Sequence, residues 1–274
     1  MSAEKCVRPH RVKGPIVFAV EPQPTNYDIN FTFFGIPVRI HPFFFLLPVL
    51  WGSNSGDIFL MVITVLVFFA SVFFHELGHV LAMMSVGQRA RITLYSMGGL
   101  AIPDGNFGRR DHVSTGYKVM ISAAGPVANF LLAAFVIVVG KLVGGQVVVA
   151  WIFNVFPIPL CDLSTATISG NPYLVQLFWF LMSINIFMGL FNLLPIIPMD
   201  GGQIMRVVLL GVNPWSGMKW ALWTSVIVAG LLAMYGFANN ELLLGLFSAH
   251  LAITNFQMLQ MNGSGGFGGG RRPW

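Results

Sequence analysis

Charge is what this sequence has least of. Only 9% of its 274 residues are Asp, Glu, Lys or Arg, where a soluble domain carries about 25%, so a surface facing water on all sides is excluded. Cysteine is almost absent: Cys6 and Cys161 stand far apart and neither belongs to a C-x-x-C pair, which argues against a disulfide framework or a thiolate metal site. Acidic groups are scarcer than basic ones, ten against fifteen, for a net charge of +5. The cations form no continuous basic stripe and sit mainly between apolar runs, so no nucleic-acid partner is expected. There is no internal repeat, and residues 1–39 begin polar and basic, without the early apolar core of a cleaved secretory signal. What the chain has in abundance is apolar sequence, 55% of residues at a mean hydropathy of +0.75.

That apolar sequence is gathered into five segments, 40–52, 56–86, 113–141, 172–197 and 219–259, the last divided near Gly236 to Glu241. A hydrocarbon core of about 30 Å takes about 20 helical residues to cross. The pattern therefore predicts an all-α polytopic membrane protein of about six transmembrane helices, the first of them short. Three stretches follow: an N-terminal cytoplasmic segment (1–39), a transmembrane unit (40–261) and a glycine-rich tail (262–274), NGSGGFGGGRRPW, with little to bury and expected to be disordered.

Lys and Arg near span ends mark the cytoplasmic side. Arg89, Arg91, Arg109, Arg110 and Lys118 lie between the second and third spans, whereas the following loop has only Lys141 at its edge and Asp162. Arg206 and Lys219 come after the fourth span, Glu241 between the fifth and sixth, and Arg271 and Arg272 near the end. The alternation is that of six crossings with both termini cytoplasmic. Within the basic loop, residues 90–103 (ARITLYSMGGLAIP) are β-branched and punctuated by glycine, predicting a strand or hairpin. An unpaired edge there cannot face lipid, so it must meet protein or water, and another chain can pair with it.

The second span ends in SVFFHELGHVLAMM. His75 and His79, at i and i+4, share a helical face about one turn apart, a separation that lets two imidazoles reach one zinc ion. Glu76 stands beside them, placed to take a proton from an activated water. Three ionisable groups in an apolar membrane helix are costly and mark function. A catalytic zinc takes three protein ligands, and the fourth span ends in FNLLPIIPMDGGQ, offering Asp200. Both spans run in the same direction, so the three donors lie towards the same, cytoplasmic, end.

Pro195 and Pro198 should end the fourth helix near Leu194, and Gly201 and Gly202 permit a tight turn that presents the carboxylate. The competing reading of Asp200 is an N-cap for a helix starting near Gln203. Asn192 fits two roles equally well, donation to a developing oxyanion or satisfaction of carbonyls freed by the prolines. Asn129 follows Gly125-Pro126, and helix packing suits it at least as well as function. His41, His112 and His250 are expected to be structural, with no second donor one turn from His250.

These residues resemble the site-2 protease family of intramembrane zinc metalloproteases. The match comprises His75-Glu76-Leu77-Gly78-His79, Ala124-Gly125-Pro126-x-x-Asn129 and Asn192-x-x-Pro195-x-x-Pro198-x-Asp200-Gly201, in the family's order. The resemblance implies one Zn2+ held by His75, His79 and Asp200, with Glu76 as base and Asn192 as a transition-state donor. It implies transmembrane protein substrates within the lipid bilayer, cut in regulated intramembrane proteolysis. A location in the bacterial cytoplasmic membrane is expected with it, and the placement of the cations sets the site towards the cytoplasm. Residues 142–171 are too short and apolar for a PDZ domain, and only the tail follows the last span, so the family's compact form is expected. Two other readings remain: a zinc transporter or sensor, expected to carry further donors along a pore, and an inactive relative that binds membrane segments without cutting them.

Overall fold

The computed structural model describes residues 21–95, 98–103, 114–152, 156–164 and 166–264. In chain order these form β1 (Ile29–Phe33), β2 (Ile36–Ile40), a 3-10 turn (Pro42–Phe45), α1 (Leu46–Ser53), α2 (Ile58–Ser85), β3 (Ala90–Tyr95), β4 (Gly98–Pro103), α3 (Thr115–Leu142), β5 (Gln146–Ile152), β6 (Phe156–Asp162), α4 (Pro172–Asn192), α5 (Asp200–Val212), α6 (Gly217–Ala238) and α7 (Leu242–Ser264). Residues 1–20, and the tail beyond Ser264, lie outside the described residues.

Among the described residues five helices, α2, α3, α4, α6 and α7, are long and apolar enough to cross a bilayer. The short first span expected over 40–52 is not among them. The sequence from Pro42 to Ser53 forms only a four-residue 3-10 turn and an eight-residue helix, about 20 Å at rises of about 2.0 and 1.5 Å per residue. This stretch lies antiparallel to the first half of α2. The Phe44 ring sits 5.6 Å from that of Phe68 and 6.3 Å from that of Phe69, and Gly52 lies against the backbone of Met61.

Three of the long helices begin where the sequence supplies caps. Asp57 accepts from the Phe59 N–H at 2.7 Å to start α2, Ser114 accepts from Tyr117 to start α3, and Asn171, followed by Pro172, accepts from Tyr173 and Leu174 to start α4. α3 continues unbroken through Pro126. α4 ends at Asn192, and the prolines that follow deny the helix its next donors.

The predicted strand or hairpin over 90–103 is a hairpin of β3 and β4, but it belongs to something larger. A four-stranded sheet runs in the order β1-β2-β3-β4, with β2 and β3 parallel and the other neighbours antiparallel. β2 crosses the expected division at residue 39 and ends at Ile40. Alternation down β2 and β3 turns Ile36, Val38, Ile40, Ile92 and Leu94 towards Val72, Phe73, Val80 and Met83 of α2. On the other face the Glu21 carboxylate bridges Arg39 at 2.9 Å and Arg91 at 2.8 Å. The core thus sets the sheet beside the C-terminal half of α2, where His75, Glu76 and His79 lie. A second hairpin, β5 with β6, joins α3 to α4. It was not legible because QVVVAWI is apolar from Val147 on, without the alternation that identifies a half-buried strand.

Candidate metal centre

The three predicted donors meet. His75 Nε2 lies 3.1 Å from Asp200 Oδ2, His79 Nε2 lies 3.3 Å from Asp200 Oδ1, and the two Nε2 atoms are 3.1 Å apart. His75 and His79 are buried, and Asp200 is nearly so. Asp200 is the first residue of α5, with Met199 as the cap residue, so its carboxylate is turned into the site rather than spent on capping.

The tautomer of each imidazole follows from its outer partner. Asn129 Nδ2 faces the Ser71 carbonyl at 3.1 Å and Asn185 Oδ1 at 2.7 Å. A carbonyl can only accept, so the amide nitrogen points there and Asn129 Oδ1 faces His75 Nδ1 at 2.6 Å as acceptor. His79 Nδ1 faces the Ile121 carbonyl at 2.7 Å. Both Nδ1 atoms therefore donate, so each ring in its neutral form presents an Nε2 lone pair to the Asp200 carboxylate. Acceptors this close repel unless a cation sits among them. Asp200 Oδ2 is moreover buried with no hydrogen-bond donor of its own. Among the described residues His75, His79 and Asp200 are the one group of three with metal-ligating atoms so gathered, all within 4.8 Å. Two imidazole nitrogens and one carboxylate suit a catalytic zinc or a similar transition metal.

Neighbouring elements close on this group through residues too small to block it. At Gly125 of α3 a Cβ atom would run into the rings of His79 and His75, and at Gly78 it would meet Ala124 and Ala128 across the α2–α3 contact. Replacing Gly125 with valine is expected to displace the imidazoles and weaken metal binding by roughly 10- to 100-fold, the range for disturbed outer partners. Metal titration of the purified variant reads this directly. Undiminished affinity would show that α3 does not set the rings.

Glu76 is buried under β4. Gly99 lies directly against its side chain, where any Cβ would collide, and the Ala101 N–H donates to its carboxylate. Tyr95, at the end of β3, belongs to the same neighbourhood: burial pushes its phenol up and the Glu76 charge adds to that, so the hydroxyl stays protonated. Asn192 ends α4, and one N–H of its amide donates to the Met188 carbonyl at 3.0 Å, one turn back.

Reasoning from sequence passed over Ser71, Tyr95, Gly99 and Asn185. Ser71 and Asn185 carried a signal, since a polar residue in an apolar span marks a buried partner and Ser71 precedes His75 by one turn. Asn185 Nδ2 donates to Ser71 Oγ at 2.9 Å and to the Leu181 carbonyl at 2.8 Å, which completes a buried network through α2, α3 and α4. Tyr95 and Gly99 reach Glu76 only through the fold and carried none.

A family model, Peptidase family M50, matches residues 63–234 and so includes all three donors, Glu76 and Asn192. The chain belongs to peptidase family M50. Among M50 relatives, a zinc metalloprotease of Methanocaldococcus jannaschii is 31% identical over 189 residues, 67% of this chain and 46% of the relative. A putative zinc metalloprotease of Synechocystis is 27% identical over 192 residues, 64% of this chain and 42% of the relative. This M50 chain thus spans a little under half the length of either. A solved site-2 protease from M. jannaschii aligns over 85% of this chain and 95% of its own, at 25% identity and a TM-score of 0.54.

Proposed function

We propose that this chain is an intramembrane zinc metalloprotease that hydrolyses peptide bonds within or near transmembrane segments of other membrane proteins. The observation that carries this reading is the convergence of two Nε2 lone pairs and the Asp200 carboxylate beside Glu76, at the C-terminal half of an apolar 28-residue helix. Membership of family M50 supports it, as do relatives described as zinc metalloproteases.

His75, His79 and Asp200 hold the zinc ion. Zinc supplies Lewis acidity and makes water a competent nucleophile near neutral pH. Glu76 takes the proton of the attacking water and passes it to the leaving amine. The Ala101 N–H keeps that carboxylate aimed into the site. Asn192 spends one amide N–H on Met188 and offers the second to the developing oxyanion.

A transmembrane substrate hides its carbonyls in its own helical hydrogen bonds and must unwind before attack. Among the described residues β4 pairs with β3 alone, and β4 lies against Glu76. An unwound segment pairing along its free edge regains backbone partners as it passes the base. The converging donors favour this reading over a zinc transporter, for which further donors along a pore would be expected.

The orientation we propose sets the sheet, the site and both termini towards the cytoplasm, in a bacterial cytoplasmic membrane. The basic residues on the connections after α2 and α5 support it. Pro42–Ser53 then runs from the level of the sheet to the far side of α2, a short sixth crossing. The catalytic unit is residues 40–261, with β1 and β2 completing its sheet.

The test is cleavage of a reconstituted transmembrane substrate by the purified protein before and after metal removal. A zinc chelator is expected to abolish cleavage and stoichiometric zinc to restore it, with magnesium ineffective. Cleavage that persists in protein shown to be metal-free would overturn the proposal.

A further inference from the structure

The backbone that delivers Asp200 is gripped by the last two helices. Ile197, three residues before Asp200, donates its N–H to Ser225 Oγ of α6 at 3.0 Å, and its carbonyl accepts from Asn255 Nδ2 of α7 at 2.6 Å. The Ser225 hydroxyl donates to the Ala221 carbonyl at 2.8 Å, and Asn255 Nδ2 also donates to the Leu251 carbonyl at 2.9 Å. Both partners of the Asn255 nitrogen are carbonyls, so its orientation is forced, and Asn255 Oδ1 is left buried without a partner. Apolar contacts reinforce the grip: Ile196 packs with Ala229 and Leu251, and Ile197 with Ala221 and Leu222. α7 lies wholly beyond the residues matched to the M50 family.

We infer that Asn255 is a positioning residue for the metal centre: by holding the Ile197 carbonyl, α7 sets where Asp200 meets His75 and His79. This rests on the proposed zinc site. The two halves of that site are held by different helices. α3 orients both imidazoles through Asn129, Ile121 and Gly125, whereas nothing in α2 or α3 bonds to the loop peptide at Ile197. Pro195 and Pro198 lack N–H groups, so the loop cannot brace itself as a helix would. Side chains from α6 and α7 take both polar groups of one residue instead, and Ile197 becomes the fixed point from which Pro198 and Met199 lead to Asp200. An orphaned Asn255 oxygen in a buried setting is a cost, borne where the nitrogen is needed. A carbonyl at this depth needs some donor in any case. A positioning role adds that the bond is coupled to metal affinity.

The experiment compares Asn255→Leu, of similar volume but without donors, with the unchanged protein. Three quantities are read: zinc affinity by competition with a chromophoric chelator, the absorption spectrum of the cobalt-substituted protein, and the melting temperature of the metal-free protein. Zinc affinity is expected to fall roughly 10-fold or more, the range for lost outer partners. The cobalt spectrum is expected to change and the metal-free melting temperature to change little, because the substitution strips the Ile197 carbonyl of a donor but also removes the orphaned Asn255 oxygen. Unchanged zinc affinity overturns the inference, and so does a loss of affinity matched by a loss of metal-free stability, which a purely structural role predicts. Asn255→Ala also removes the donor to the Ile197 carbonyl and carries the same test should Asn255→Leu not fold. Asp200→Asn is measured alongside. If it keeps zinc, the zinc site itself is wrong; if it loses zinc while Asn255→Leu binds normally, only the role of Asn255 fails.

Discussion

Replacing Asp200 with asparagine is expected to leave a folded protein that no longer retains zinc through purification. The substitution keeps the shape of the side chain and removes its charge. In the native site that charge faces two imidazole nitrogens at 3.1 Å and 3.3 Å, and one of its oxygens is buried without a hydrogen-bond donor. An amide offers only a neutral oxygen there, or turns N–H groups towards lone pairs that cannot share a cation with it. The loss should exceed the roughly 10- to 100-fold that follows removal of an outer partner, because we propose Asp200 as a direct ligand. The fold should tolerate the change, since α5 needs no side-chain cap from residue 200 and an anion in a first helical turn contributes only about 0.3–1 kcal/mol. Zinc content and circular dichroism of the purified variant check both halves. Full zinc occupancy would remove Asp200 from the site.

Glu76→Gln is expected to separate chemistry from metal binding. Glutamine keeps the volume under Gly99 and an oxygen to accept from Ala101, so the packing of β4 against α2 should persist. Zinc should stay bound, because His75, His79 and Asp200 are untouched. What is lost is the ability to take and return a proton, worth roughly 10²- to 10⁴-fold in a hydrolytic step. Cleavage should fall by that factor while zinc content does not. A variant that cuts at the native rate would refute Glu76 as base. If the unchanged protein also failed to cut any membrane segment while zinc crossed sealed vesicles, transport would take the place of proteolysis.

How far the sequence reached can be seen at particular residues. His75, Glu76 and His79 were legible because helical spacing is a local property: four residues are about one turn, whatever the rest of the chain does. The break after Asn192 was legible because a proline removes its own N–H wherever it sits. The span count was legible in part: five long apolar helices are present among the described residues, and Pro42–Ser53, expected to be short, is apolar like them but forms only a 3-10 turn and an eight-residue helix. The sheet was half legible: β3 and β4 are neighbours in sequence, whereas the β2–β3 pairing brings together Val38 and Ile92, a contact without a local signature.

Residue chemistry and spacing by themselves determined that this chain lives in a membrane, that its second span carries a metal motif, and that Asp200 is available on the same side. Tertiary structure alone decided which acceptors fix the imidazole tautomers, that Gly99 and Ala101 hold Glu76, and that Ser225 and Asn255 grip Ile197. The division has a physical cause. Hydrophobic length, helical phase and backbone restriction act within a few residues. Hydrogen bonds such as Asn129 to His75 and Asn255 to Ile197 join groups 54 and 58 residues apart, and exist only once the helices have packed.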